Sequence, residues 1–297
     1  MTINYVTKDN GQLDKKITQG LVTTALGVPD VTLVAGGKSF TLTTIATSGL
    51  KAHTRGKGFN SGTYENDKQV YTMEQDRDIE FFVDSQDVDE TNQDLAVANI
   101  SKTFIEEHVQ PEIDAYRFAK LANAAPADAT HRLTGTITPA NAYSQIKAAI
   151  LPIRKYGPQN AIVFVSTNVM DCLERSTEFN RQITNQNIGQ TALESRVTSL
   201  DGVQIVEVWD ESRLWSAYDF TDGYVPASGA VQINILAVAK TAVIPVVKEN
   251  AVFLFSPGQH TDGDGYLYQN RLYHDLFVRK QQADGVVVHT ATAIVAG

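Results

Sequence analysis

Two strand-like runs, Lys38–Ser48 (KSFTLTTIATS) and Lys68–Ser85 (KQVYTMEQDRDIEFFVDS), flank a Gly-rich stretch and limit what this chain can become. Alternation puts Phe40, Leu42, Thr44 and Ala46 on one side of the first run, and Val70, Thr72 and Glu74 on one side of the second. The opposite sides are Thr-rich or charged. Two such strands joined by a long loop form a β-ribbon with little apolar surface, which is marginal by itself in water. A ribbon of this kind has to rest on another surface.

The linking stretch, LKAHTRGKGFNSGTYENDK from Leu50 to Lys68, gathers Lys51, Arg55 and Lys57 around Phe59 in a chain of formal net charge -9. A phosphate-binding loop needs Gly, four residues, then Gly-Lys-Ser/Thr, opening a helix after a strand. Here Gly58 follows Gly56-Lys57, Lys51 stands where the first Gly is required, and the sequence that follows is β-like. The phosphate cradle is therefore excluded. A solvated hairpin tip, a single-strand contact through the cations and Phe59, and a tip that docks on a partner's acidic surface remain open. The acidic balance argues against a general nucleic-acid binder, because affinity for the phosphate backbone comes mainly from Lys and Arg.

Upstream, residues 1–37 show little periodicity and are punctuated by Gly20, Gly27, Pro29, Gly36 and Gly37. They predict an extended arm with one short helix, held by a neighbouring domain or subunit. Downstream the period changes. From Asp94 to about Ala124, Val97, Ile100, Phe104, Ile105, Val109, Ile113 and Tyr116 recur mainly at spacings of three and four. That predicts a long amphipathic helix of roughly 45 Å. Asp89 or Thr91 serves as its N-cap, Asp87, Asp89 and Glu90 suit its positive end, and Pro111 predicts a kink or interruption.

An α/β segment follows over about 136–238. Its first helix is expected to start at Thr138-Pro139 and end at Gly157, followed by the strand AIVFVS, the helix TNVMDCLERS and the strand GVQIVEVW. The Asn/Gln-rich stretch STEFNRQITNQNIGQTALES reads as a surface loop with partial helix. The remainder is strand-like, with Asp284-Gly285 expected as a hairpin turn between the last two strands. Val231–Phe255 is broken by Gln232, Asn234, Lys240, Pro245, Lys248 and Glu249, which excludes a membrane-spanning helix there.

Hydrophobic content of 42% and charged content of 20% are those of a folded globular chain with a sizeable core. Cys172 is the only cysteine, so an intrachain disulfide and a thiolate zinc site are both excluded, and it reads as a small buried apolar residue. In FIEEHVQPE only His108 and Glu112 have metal-ligand spacing, and one such pair reads as a surface ion-pair arrangement. His260, Asp262 and Asp264 lie in a Gly-rich loop that lacks the closing Glu and the helices of a calcium loop, so a turn is expected. No G-x-S-x-G occurs, neither Ser166 nor Ser256 has a nearby His in sequence, and the six histidines are scattered. No catalytic residue, cofactor site or metal site is expected.

The order of segments (arm, ribbon with a long loop, long helix, α/β segment, terminal strands) resembles the major capsid protein of tailed bacteriophages with the α+β Hong Kong 97 type fold. Ser48–Ala122 and Asp264–Ala291 carry the likeness, which points to siphophages of Gram-positive bacteria. The resemblance implies an N-terminal arm over 1–37, an extended E-loop over 38–83 and a peripheral domain with the spine helix over 84–135. It further implies an axial domain over 136–238, lining five-fold and six-fold centres, and peripheral strands over 239–297. Copies of such a protein assemble as hexamers and pentamers into an icosahedral virion shell around double-stranded DNA that is not read by sequence.

By the same resemblance, Lys51, Arg55, Lys57 and Phe59 are expected as intersubunit contacts, with Asp87, Asp89 and Glu90 as acidic partners. A portal and a separate scaffolding protein are expected partners, since the ribbon begins near Lys38 and leaves no room ahead of it for a long scaffolding segment. No cleavage of the chain is expected, and no Lys–Asn crosslink between copies. Three alternatives stand beside this reading: an encapsulin-like nanocompartment shell of the same fold, a tail-tube protein that is mainly β without the long helix, and a metal-dependent hydrolase.

Overall fold

The computed structural model describes residues 18–27, 38–53, 55–56, 58–90, 97–176, 199–261 and 263–294. The first run forms β1 (Ser39–Thr47), paired antiparallel with β2 (Tyr64–Thr72), so that Phe40 faces Tyr71 and Leu42 faces Gln69. The inward side of β2 thus carries Tyr71, followed by Met73, while Val70 is exposed, the reverse of the expected face. The aromatic anchor decides it: Phe40, Tyr71 and Phe277 stack and edge together with centroids 5.3–5.4 Å apart. In a Thr-rich strand, alternation marks two faces without saying which one is buried.

The second run is not one strand. The chain turns at Met73-Glu74, and β3 (Gln75–Asp84) leaves the ribbon for a three-stranded antiparallel sheet with β12 (Gly265–Val278) at its centre and β11 (Val243–Phe255) on the far edge. The base of the ribbon closes over that sheet, Phe40, Tyr71 and Met73 packing on Ile244, Val246, Tyr273 and Phe277. Asp87 and Asp89 sit inside a short helix of their own, α1 (Ser85–Glu90), so Asp89 does not cap the long helix. Thr91 and Asp94 lie outside the described residues.

The long helix forms in two pieces, α2 (Val97–Phe104) and α3 (Gln110–Ala124), joined by a π turn over Ile105–Val109. Pro111 therefore does not break the helix. Gln110 donates to the carbonyl of Ile105 across the wider turn, and Pro111 falls at the start of α3, where its missing N–H costs little.

α3 lies on one face of a six-stranded mixed sheet, with Phe118 and Leu121 packed among Phe164, Leu236, Val286 and Val288. The strand order is β4 (Arg132–Thr134), β13 (Val286–Thr290), β10 (Ile233–Ala239), β5 (Ala161–Ser166), β7 (Val203–Val208) and β6 (Ser199–Leu200), while β8 (Tyr218–Asp219) and β9 (Val225–Pro226) pair separately. The other face is covered by α4 (Ala142–Ile150) and α5 (Thr167–Glu174), whose Ile146, Ile150, Val169 and Leu173 meet Val163, Val165 and Ile235. With both faces covered, β5 is buried at every position, which explains its unbroken apolar run.

Two expected boundaries shift. α4 starts at Ala142 instead of Thr138, because Thr138 and Pro139 are spent in a turn whose carbonyl, that of Thr138, accepts from Asn141 and Ala142. Pro152 then ends α4, and a 3-10 turn runs to Gly157 at φ 89°. The Asp284-Gly285 hairpin does not form: β12 and β13 belong to different sheets, with 3-10 turns over Lys280–Gly285 between them. Asp284 instead accepts from Lys155 and from the Tyr156 hydroxyl. The Asn/Gln-rich loop lies almost wholly outside the described residues.

Candidate functional site

The ribbon ends in a loop that is shaped by its own hydrogen bonds. Ser48 N–H donates to Thr63 O at 2.9 Å, Lys51 Nζ to Ser61 O at 2.7 Å, and Asn60 Nδ2 to Ala52 O at 2.9 Å. Gly56 turns the tip at φ 85°, a conformation that L side chains rarely adopt. Leu50 and Phe59 are fully exposed, at 107% and 100% of their reference areas, and Lys51 and Arg55 are exposed beside them. The loop thus gathers Lys51, Arg55 and Phe59 at one projecting end, while Lys57 lies outside the described residues. Two bare apolar side chains at the end of a ribbon are costly in water unless something covers them. Of the acidic candidates, Asp87 and Asp89 sit on α1 beyond the end of β3, and the side chain of Glu90 lies outside the described residues.

A second feature escaped the sequence reading. The segment Gln19–Leu26 is pinned to α3 through a buried carboxylate. Asp114 accepts from Val22 N–H at 2.8 Å, Thr23 N–H at 3.0 Å, Thr23 Oγ1 at 2.7 Å and Arg213 Nη1 at 3.0 Å. Arg213, fully buried, also donates to Gly20 O at 3.0 Å and Gln19 O at 2.6 Å. Burial pushes the Asp114 carboxyl above its ordinary range, while its hydrogen bonds and Arg213 pull the other way. The arm is therefore held in part by the chain's own core. The one clue in the sequence is an aspartate inside the apolar stripe of a helix.

A cavity of about 320 Å³ opens between β3, the π turn and the 222–223 loop, lined by Phe81, Phe104, His108, Glu112, Arg77 and Leu272 among others. Two of its charges satisfy each other: Arg77 Nε lies 2.6 Å from Glu112, and the other Arg77 nitrogens reach the carbonyls of Phe220 and Gly223. Glu112 thus pairs with Arg77, and His108 stacks on Phe104 with centroids 5.7 Å apart. The Glu112 carboxyl is raised by burial, which Arg77 opposes.

The remaining candidates fall into structural places. Cys172 is buried, and Ser166 caps α5 by accepting from Val169 N–H at 3.4 Å. His260 Nε2 donates to Gly265 O at 2.8 Å within its turn, and Asp262 lies outside the described residues. Among the described residues no group of three or more His, Cys, Asp or Glu is placed to hold a metal ion. No helix among them is long and apolar enough to cross a membrane.

No family model matches the sequence, and no curated protein matches it either. Solved structures do. The capsid structure of the cyanophage P-SCSP1u is similar over 97% of this chain and 93% of its own, with a TM-score of 0.72 and 15% identity. The mature capsid of bacteriophage PhiM1 is similar over 98% and 91%, with a TM-score of 0.64 and 18% identity. A virus-like particle from Pyrococcus furiosus is similar over 92% of each chain, at 0.50 and 8%. At such identities the likeness is one of fold, and it runs from end to end. This chain has the Hong Kong 97 type fold of phage capsid subunits.

Proposed function

We propose that this chain is a major capsid protein whose copies assemble, without catalysis, as hexamers and pentamers into the icosahedral head of a tailed phage. The observation that carries the reading is the similarity of nearly the whole chain, arm and ribbon included, to phage capsid structures. The projecting ribbon supports it independently. Its tip exposes Leu50 and Phe59 with Lys51 and Arg55, a composition suited to another copy's acidic surface. Each such contact can be modest, because closed symmetry repeats it over the shell.

In this reading residues 1–37 are the arm, 38–83 the E-loop, 84–135 and most of 239–297 the peripheral domain, and 136–238 the axial domain, whose sheet β13 joins. Lys51, Arg55, Lys57 and Phe59 are the gripping residues. A portal and a separate scaffolding protein are its partners, the virion capsid its location, and the double-stranded DNA inside is confined without being read. An encapsulin-like compartment shell of the same fold is the less favoured reading, since the solved phage capsids above fit nearly the whole chain at 0.72 and 0.64. The α2–π–α3 helix and the pair of sheets speak against a tail tube.

Negative-stain imaging of the purified protein tests the reading. Closed icosahedral shells are expected. Tubes, or monomers that stay dispersed at every concentration, would overturn it.

A further inference from the structure

The π turn over Ile105–Val109 widens the long helix where His108 and Val109 line the cavity of about 320 Å³ beside β3. π turns inside α-helices are frequent at functional sites, and the shell reading gives this one no role. The cavity's volume falls within the range of small-molecule pockets, about 300–1,000 Å³.

Its walls are apolar and hold one another in place. Phe104 meets Phe81 edge-on with centroids 5.2 Å apart, and Phe81 stacks on Tyr268 at 5.9 Å. Ile79, Val109 and Leu272 complete the apolar lining, and His108, exposed on the π turn, stacks on Phe104 at 5.7 Å. Aromatic side chains already fixed by their neighbours lose little freedom when a ligand enters.

The polar end of the cavity has a sign. Arg77 is engaged on all sides: Nε pairs with Glu112 at 2.6 Å, Nη2 reaches Glu112 at 3.4 Å and Gly223 O at 3.2 Å, and Nη1 donates to Phe220 O. Arg77 and Glu112 therefore cancel. Asp222 is left over, exposed on the loop that carries Gly223 and without an ion pair among the described residues. An anion would meet two carboxylates and a guanidinium already taken. A cation on an apolar stem meets the carboxylates with its charge and the ring faces with the rest, and ring faces attract positive charge as well.

We propose that this cavity binds a small organic cation, an aryl or alkyl ammonium of about ten non-hydrogen atoms. The stem lies between Phe81, Phe104 and Leu272, and the ammonium faces Asp222 beside the Glu112 carboxylate. A ligand so placed touches β3, the π turn and the 222–223 loop at once and holds the three together. The site lies within a single copy, so it stands whether or not copies close into shells.

The test is a calorimetric titration of the full-length protein with 2-phenylethylammonium, paired with saturation transfer from protein to ligand in proton NMR. A dissociation constant of about 1 mM or lower is expected. Three controls are expected to bind at least tenfold more weakly: 2-phenylethanol, which lacks the charge, phenylacetate, which reverses it, and methylammonium, which lacks the ring. Asp222→Asn removes the charge from an exposed loop, and Val109→Phe fills the cavity; each is expected to weaken binding of 2-phenylethylammonium at least fivefold. Absence of saturation transfer at about 10 mM ligand overturns the proposal. Equal binding of any of the three controls overturns it too, since charge and ring are both required. Either variant, folded by circular dichroism and unchanged in affinity, overturns it as well. Should Val109→Phe fail to fold, Asp222→Asn decides alone.

Discussion

At the scale of single residues, a buried imidazole carries part of the molecule's pH sensitivity. His274, on β12, is fully buried, neither ring nitrogen has a hydrogen-bond partner among the described residues, and Tyr116 meets it edge-on at 5.3 Å. Burial, then the nearby Arg117 and Arg77, push its pKa down to about 3. In the unfolded chain the same group titrates near its usual value of about 6.5. Between those two values the unfolded chain holds a proton that the folded one refuses, so stability is lost as pH falls below about 6.5. The slope is about 1.4 kcal/mol per unit, or about 2 kcal/mol by pH 5. Urea unfolding of the unassembled subunit should therefore lose about 2 kcal/mol less between pH 7 and pH 5 in His274→Leu than in the parent. His289, which is also buried and also depressed, adds to the slope that remains. An unchanged slope in the variant would place the acid sensitivity elsewhere.

At the scale of elements, close approach matters more than turn chemistry. Gly285 ends the 3-10 turns before β13, and a Cβ there would lie 2.7 Å from the Cβ of Ala242 and 3.2 Å from that of Ala239. Neither neighbour can rotate away, since a Cβ is fixed to its backbone. Gly285→Ala should cost about 2 kcal/mol in urea unfolding, and Ala242→Gly in the same chain should return part of it through a coupling of 0.5 kcal/mol or more. Strict additivity of the two changes would show that the contact is not the cause. The same place explains a limit of the sequence. Asp284-Gly285 carries a local hairpin signal, yet sheet membership depends on partners far along the chain, and β13 pairs with β10 instead of β12. The β5 strand and α5 were legible because burial on all sides, and a Ser cap, leave a local trace. The π turn left none: Pro111 announced a disturbance, and only the tertiary frame around α3 decided that the helix would widen and continue.

At the scale of the whole molecule, the chain divides into a part that folds by itself and a part that waits. The loop's composition could be read directly, since Gly, cations and a lone Phe between coreless strands mark a segment with no place in its own core. The anchor of the arm could not, because Asp114 and Arg213 meet across 99 positions of sequence. The division itself can be tested by removing the waiting part. Thr47 pairs with Tyr64, so Ser48 and Thr63 stand opposite one another, and replacing Gly49–Gly62 with Asn-Gly closes the ribbon by a two-residue turn in register. The excised residues are exposed wherever the structure describes them, and the Phe40–Tyr71–Phe277 cluster at the base is left whole. The unfolding free energy of the subunit should stay within about 0.5 kcal/mol of the parent, while shells should be absent from negative-stain images. Shells that still form would take the tip out of the assembly contact. A subunit that fails to fold would make the loop part of the core, against its exposure. A folded subunit that cannot close a shell is what a tip built for another copy requires.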